Sequence, residues 1–191
     1  MSEIYIEVDH DDLKKLYAAL DKSQTKMQSA LRNAINRTAT AALKDIKAGR
    51  SKGYTIKASR FNSEITKQTA STAHLDATIK AEGRVHTLKN FKTSAPKSGG
   101  KADIVKTGLK KLESSTGGKA FMGTGGAING LMAQRTTSAR YPLKVLLSVS
   151  TPKMMEQIFT GERGGQGNMQ LTVQARLHDE IMAEIKKVKA I

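Results

Sequence analysis

Four histidines and two glycine-rich runs are the residues of this sequence whose types and spacing could do chemistry. A metal site needs several ligands at close spacing on defined elements. His10, His74, His86 and His178 stand far apart, with neither HxH nor HExxH spacing, and the 191 residues include no cysteine. Without thiols there is no disulfide framework, thiolate ligand or cysteine nucleophile. Each histidine reads as structural or exposed, and His178-Asp179-Glu180 as a solvent-facing part of the last helix. Gly123 to Gly130 (GTGGAING) lacks the GxGxxG spacing of a dinucleotide loop, and a strand pattern follows where that fingerprint needs a helix. Gly161 to Gly167 precedes a helical pattern but carries no GKS or GKT, so it is no P-loop. No serine sits in GxSxG, and no pair of carboxylates stands in an apolar setting. The expectation is a non-enzyme with no catalytic residues, metal, cofactor or small-molecule substrate.

Charge carries more information. The formal net charge is +15, a balance that concerns partners rather than fold. It is unevenly spread. The first twelve residues hold Glu3, Glu7, Asp9, Asp11 and Asp12 with no Lys or Arg, whereas Lys89 to Lys153 holds twelve basic residues against Asp103 and Glu113. An acidic edge and a basic face on one subunit can pair head to tail around a ring. Basic loops can also neutralise phosphates without regard to sequence. Base stacking would need aromatics among the cations, and Phe91 and Tyr141 are thin provision. No helix-turn-helix, zinc finger or RNP signature is present. The candidate contact residues, for a neighbouring subunit or for DNA, are Lys89, Lys92, Lys106, Lys110, Lys111, Arg135, Arg140 and Tyr141.

The elements that must position them follow from periodicity. Ala120 to Pro152 reads as a three-strand meander: Ala120-Phe121-Met122, a glycine turn, Ile128 to Arg135, a polar turn, then Tyr141-Pro142 opening an alternating strand. In that last strand Leu143, Val145, Leu147 and Val149 share one face, the clearest period-two signal in the chain. The meander is the expected centre, with helices packed on it. Upstream, Glu3 to Val8 alternates as a strand, and Asp9 caps a helix from about His10 to Leu20 with Leu13, Leu16, Tyr17 and Leu20 in one stripe. A long helix spans Thr25 to Ala48, its inner face Met27, Ala30, Leu31, Ala34, Ile35, Ala39, Ala42, Leu43 and Ile46, and Gly49 stops it.

Tyr54-Thr55-Ile56 reads as extended and Ser59 to Lys67 as a short helix. Leu75 to Ala81 and Val85 to Phe91 form a hairpin signal about Glu82-Gly83-Arg84. The polar stretch 92–119 holds one strand pair, around Ile104-Val105 and Leu109 to Leu112, between mobile flanks at Ser94 to Lys101 and Ser114 to Lys119. Lys153 to Phe159 and Met169 to Val188 complete the helices, the last with Leu177, Ile181, Ile185 and Val188 inward. The fold class is α+β: one domain over residues 1–191, a mainly antiparallel sheet packed by the long N-terminal helix and the C-terminal helix, with long basic loops. A hydrophobic fraction of 38% with no Trp makes a thin core, easier to maintain against copies of itself. No apolar run reaches membrane-spanning length, the acidic start is the reverse of a signal peptide, and the lack of cysteine fits a reducing cytoplasm.

Several of these segments together carry a resemblance. Ala120-Phe121, the glycine hairpin Gly123 to Gly130, Gln134-Arg135, Arg140-Tyr141-Pro142 and the exit Ser150 to Met154 resemble the C-terminal half of the phage minor tail protein Z family. Ala34-Ile35-Asn36-Arg37-Thr38-Ala39 is similar to the AINR-x-A segment of that family's first long helix. The similarity covers roughly residues 25 to 155, and its specificity lies in the order and spacing of the segments, none of which is catalytic. This chain departs from the family's pattern in its acidic N-terminal strand and less arginine-rich middle. The resemblance implies a structural tail-completion protein of the virion, assembled in the bacterial host cytoplasm. It would form a ring, six-fold like the tail tube, at the head-proximal end, meeting tube, terminator and neck proteins and DNA in the lumen. A tail terminator or collar protein is a rival within that class. A free, sequence-independent nucleic-acid-binding protein is the rival outside it.

Overall fold

The structure, a computed structural model, describes residues 1–19, 24–113, 118–165 and 167–189. In chain order the elements are β1 (Ser2–Ile6), α1 (His10–Ala19), α2 (Gln24–Gly53), α3 (Ala58–Asn62), β2 (Ile65–Gln68), β3 (Ala77–Ala81), β4 (Val85–Thr87), β5 (Lys92–Ser94), β6 (Lys101–Asp103), β7 (Lys110–Lys111), β8 (Ala120–Met122), β9 (Met132–Arg135), β10 (Leu143–Val145), β11 (Leu147–Ser150), α4 (Thr151–Phe159) and α5 (Met169–Lys189). Helices and antiparallel sheets together make this an α+β protein, with the long N-terminal and C-terminal helices in their expected places. Leu16, Tyr17, Leu20 and Val188, and the loop 114–117, lie outside the described residues and side chains.

The centre is α2 rather than the meander. Met27, Ala30, Leu31, Ala34, Ile35, Ala39, Ala42 and Ile46 are all buried, with Leu43 partly so. On one side α2 meets α5, whose buried Val173, Leu177, Ile181 and Ile185 recur every four residues. Arg37 reaches Glu180 and Glu184 while Asp45 reaches Arg176, so the two helices run antiparallel. On another side lie α4 and the sheet β1-β3-β2, with Ile4, Ile6, Ala77, Ile79 and Ala81 facing inward. Small alanines let these neighbours approach closely. At the start of α1, Asp9 Oδ1 accepts the Asp11 N–H at 3.3 Å, as expected of a cap.

Gly49 does not end α2, which runs on to Gly53. The reason is a close approach: a Cβ on Gly53 would lie 2.9 Å from the Gly164 nitrogen, and one on Gly164 would lie 2.8 Å from the Gly49 oxygen. The glycines one turn apart form a notch that seats the 161–167 connection. Three other expectations change. Ser59 to Lys67 divides into α3 and β2, because Ile65 and Thr66 find an open strand edge on β3. β3 and β4 form no hairpin: β3 is bonded on both edges, to β1 and β2, so β4 pairs with β11 instead. Tyr54 to Ile56 is not a strand, although Thr55 N–H donates to the Ile104 oxygen at 3.0 Å.

The meander itself is present, in the order β10-β9-β8, with its second strand shortened to β9. Its long third strand breaks at Leu146. The Leu146 N–H donates to Met132 O at 2.9 Å, while its carbonyl accepts from Leu88 N–H at 3.3 Å. The chain thus leaves β9 for β4, and the alternation is broken: Leu147 is 55% exposed, while Leu146 and Val149 pack on the core. The stretch 92–113 gives a third sheet, β5-β6-β7, in which the first strand of the expected pair lies earlier than expected, at Lys101–Asp103, and the turn to β7 spans 104–109. Gly100, Leu112 and Ala120 link this sheet to the meander through backbone bonds of 2.6–3.2 Å, joining the two into one β lobe.

Candidate functional site

The eight expected contact residues all lie outside the α-helices, Lys89 in the 3-10 turn Leu88–Asn90, and seven of them carry a positive charge. The structure divides them. Arg135, Arg140 and Tyr141 line one groove with Phe121, Leu143 and the turn Gly123 to Gly126, enclosing about 420 Å³. Lys110 and Lys111 form the edge strand β7, and Lys92 lies on β5 at the other edge of the same sheet. Lys106 stands in the β6–β7 turn with φ of 53°, steadied because Asp103 Oδ1 accepts the Thr107 N–H at 3.1 Å. Lys89 reaches the meander turn, its Nζ 3.8 Å from where a Cβ on Gly130 would sit.

Register explains the groove. Phe121 pairs with Ala133, and Leu143 pairs with Arg135, so Phe121, Ala133, Arg135 and Leu143 share a sheet face. The Arg135 guanidinium sits 5.9 Å from the Phe121 ring centroid, and that of Arg140 is 5.8 Å from the Tyr141 centroid. Contacts of this kind orient the cation while leaving N–H edges free. On the opposite face, buried Gln134 donates through Nε2 to Leu112 O at 3.4 Å and to Gly118 O, tying the meander to the segment before β8.

The described cations of this lobe find no carboxylate partners within the chain. Among the described residues, no Lys or Arg from Lys89 to Lys144 has a carboxylate within ion-pair distance. Lys101 even faces Lys111 directly across β6 and β7, an arrangement that destabilises a sheet when nothing intervenes. Asp103, the one carboxylate in the sheet, is buried.

The histidines resolve differently. His86 is buried, its Nε2 2.8 Å from Thr151 Oγ1 and 3.3 Å from Glu64 Oε2, with Phe91 edge-on at 6.2 Å. Burial pushes its pKa below the usual histidine value, outweighing the Glu64 carboxylate. Thr151 is fully buried, so the pair fastens the start of α4 to β4 out of reach of any substrate. His178 does not simply face solvent: its Nδ1 lies 2.8 and 3.0 Å from the two Asp12 oxygens and ties α5 to α1. The Tyr54 hydroxyl donates to Gln157 Oε1 at 2.6 Å, and burial pushes its pKa up to about 12. None of these three contacts is visible in sequence, since each joins residues more than sixty positions apart.

The residues of the resemblance have definite structural work. Asn36 Nδ2 donates to Ala70 O at 3.0 Å and its Oδ1 accepts the Ala70 N–H at 2.8 Å, clamping the chain that follows β2. Arg37 holds α5, and Ala34, Ile35, Thr38 and Ala39 are buried. No family model matches the chain, and no curated protein or solved structure matches it either.

Proposed function

We propose that this chain is a structural protein of a phage tail neck, of the minor tail protein Z kind. It would form a ring of identical subunits, six-fold like the tail tube, at the head-proximal end of the tail and complete the tail for head joining. The observation that carries the proposal is a contrast in charge: ion pairs of Arg37 and Arg176 bridge α2 to α5, whereas no described Lys or Arg from Lys89 to Lys144 in the β lobe has a carboxylate partner. Such a lobe needs neutralisation from outside the chain. Exposed Glu7, Asp9 and Asp11 at the other extreme of the sequence supply a complementary surface on a neighbouring copy. Two groups of residues in the resemblance support the reading, since Asn36 and Arg37 lock the helical body and Arg135, Arg140 and Tyr141 build the lobe's groove. Its partners would be copies of itself, tube, terminator and neck proteins, and DNA in the lumen. A terminator or collar role in the same neck is the nearest variant.

The test is electron microscopy of particles assembled without the protein, scoring heads and tails separately. Finished tails of normal length beside full, unjoined heads are expected. Normal, infectious particles would overturn the assignment. The unpaired cations of the β lobe also favour a second reading, a free protein that binds nucleic acid through backbone charge alone. That reading predicts a monomer or dimer in solution with tight, salt-sensitive DNA binding, where the first predicts self-association.

A further inference from the structure

We infer that the groove between Arg135, Arg140 and the Gly123–Gly126 turn is a phosphate-binding site that takes the phosphodiester backbone of nucleic acid. The inference rests on the β lobe facing a polyanion, and not on the tail assignment. Three observations converge on this one place. The two guanidiniums line the same groove, and neither has a carboxylate partner among the described residues. Each is oriented by an aromatic ring, Phe121 or Tyr141, which leaves its planar fork of donors available for the paired oxygens of a phosphate.

The third wall is backbone. The N–H groups of Thr124, Gly125 and Gly126 find no acceptor among the described residues, unlike those of Gly123, Asn129 and Gly130 in the same turn. Gly126 has φ of 59°, and a Cβ on Gly125 or Gly126 would meet nothing within 4 Å. These residues line the groove beside the two arginines. Tyr141, 65% exposed at the rim, offers part of a ring to a base beside the held phosphate. No base edge is read, so binding is indifferent to sequence.

The experiment is fluorescence anisotropy of a labelled oligothymidylate with the full chain, titrated across salt. Arg135→Gln/Arg140→Gln is expected to weaken binding at least tenfold. It should also flatten the slope of log K against log salt by about 1.4, the value for two single-strand phosphate contacts. Gly125→Asp, at a residue with extended backbone and open space, is expected to weaken binding without loss of thermal stability. Lys26→Gln/Lys52→Gln, on the exposed face of α2, should leave both quantities unchanged. Pyrophosphate should compete better than a polyglutamate of equal charge concentration. A double-arginine variant that binds like the parent would overturn the groove while leaving the lobe reading intact, and so would polyglutamate competing equally well. Absence of any binding by the parent chain would overturn both.

Discussion

On the helical side of the molecule, Arg37 joins Glu180 and Glu184, Arg176 joins Asp45, and Lys80 joins Glu3 and Glu82. On the β side, Lys101 faces Lys111, and the two groove arginines lie over aromatic rings with no carboxylate near. The first region ties its helices together with ion pairs and buries a continuous apolar stripe. The second consists of strands of two to four residues with one buried acid and many exposed cations. What the contrast teaches is where selection for stability and selection for contact have acted. Ion pairs that bridge α2 to α5 hold a fold together, whereas like charges gathered on a thin sheet weaken it and leave a surface open to the anionic partner proposed above.

The comparison can be broken most sharply at the α2 core. Ile35→Ala, at a fully buried position, should cost about 2–5 kcal/mol in urea unfolding. A loss below 1 kcal/mol, on the order of a surface change, would show that α2 is not the organising element. Next comes Arg37→Ala. It leaves Glu184, whose side chain is only 10% exposed, with Lys187 as its remaining partner. Burial pushes the Glu184 pKa up, but hydrogen bonds from Lys187 and Arg37 outweigh it and hold the carboxyl below its ordinary value. The expected loss is about 1–3 kcal/mol, and Arg37→Ala/Glu184→Ala should recover part of it if the cost is a buried carboxylate that has lost one of its two partners.

The pH dependence sharpens the same contrast. His86 has a depressed pKa in the folded state, set by burial against the opposing Glu64 and assisted by Arg60. The unfolded chain therefore binds more protons below the ordinary histidine value of 6.5, and the stability that neutral His86 contributes is lost as pH falls from about 7 toward 5. His86→Gln should flatten thermal stability across that window. An unchanged slope would assign the acid sensitivity to carboxylates instead. The smallest effect belongs to the β lobe: Lys111→Ala should shift stability by about 0.5 kcal/mol or less, upward because it removes a like charge opposite Lys101. A large loss there would mean that the lysine aliphatic chain is packed and the lobe is not a surface of free cations.

Local pattern determined a good deal about this protein by itself. The extents of α1, α4 and α5, the buried stripe of α2, the cap at Asp9 and the existence of strands β8, β9 and β10 follow from periodicity and capping chemistry, which act within a turn or two of backbone. The concentration of cations after Lys89 was equally legible, because charge is a property of composition. Only tertiary structure decided the rest. Gly49 reads as a helix stop until the Gly164 backbone is seen lying against it. Leu143 to Val149 reads as one strand until Leu146 is found bonded to β9 on one side and β4 on the other. The Phe121–Arg135 contact depends on the register of two strands, and the pairing of His178 with Asp12 on helices from opposite ends of the chain. Hydrogen bonds and side-chain neighbours between distant segments leave no local trace, since many registers satisfy the same alternation and burial selects among them only when the whole chain is packed.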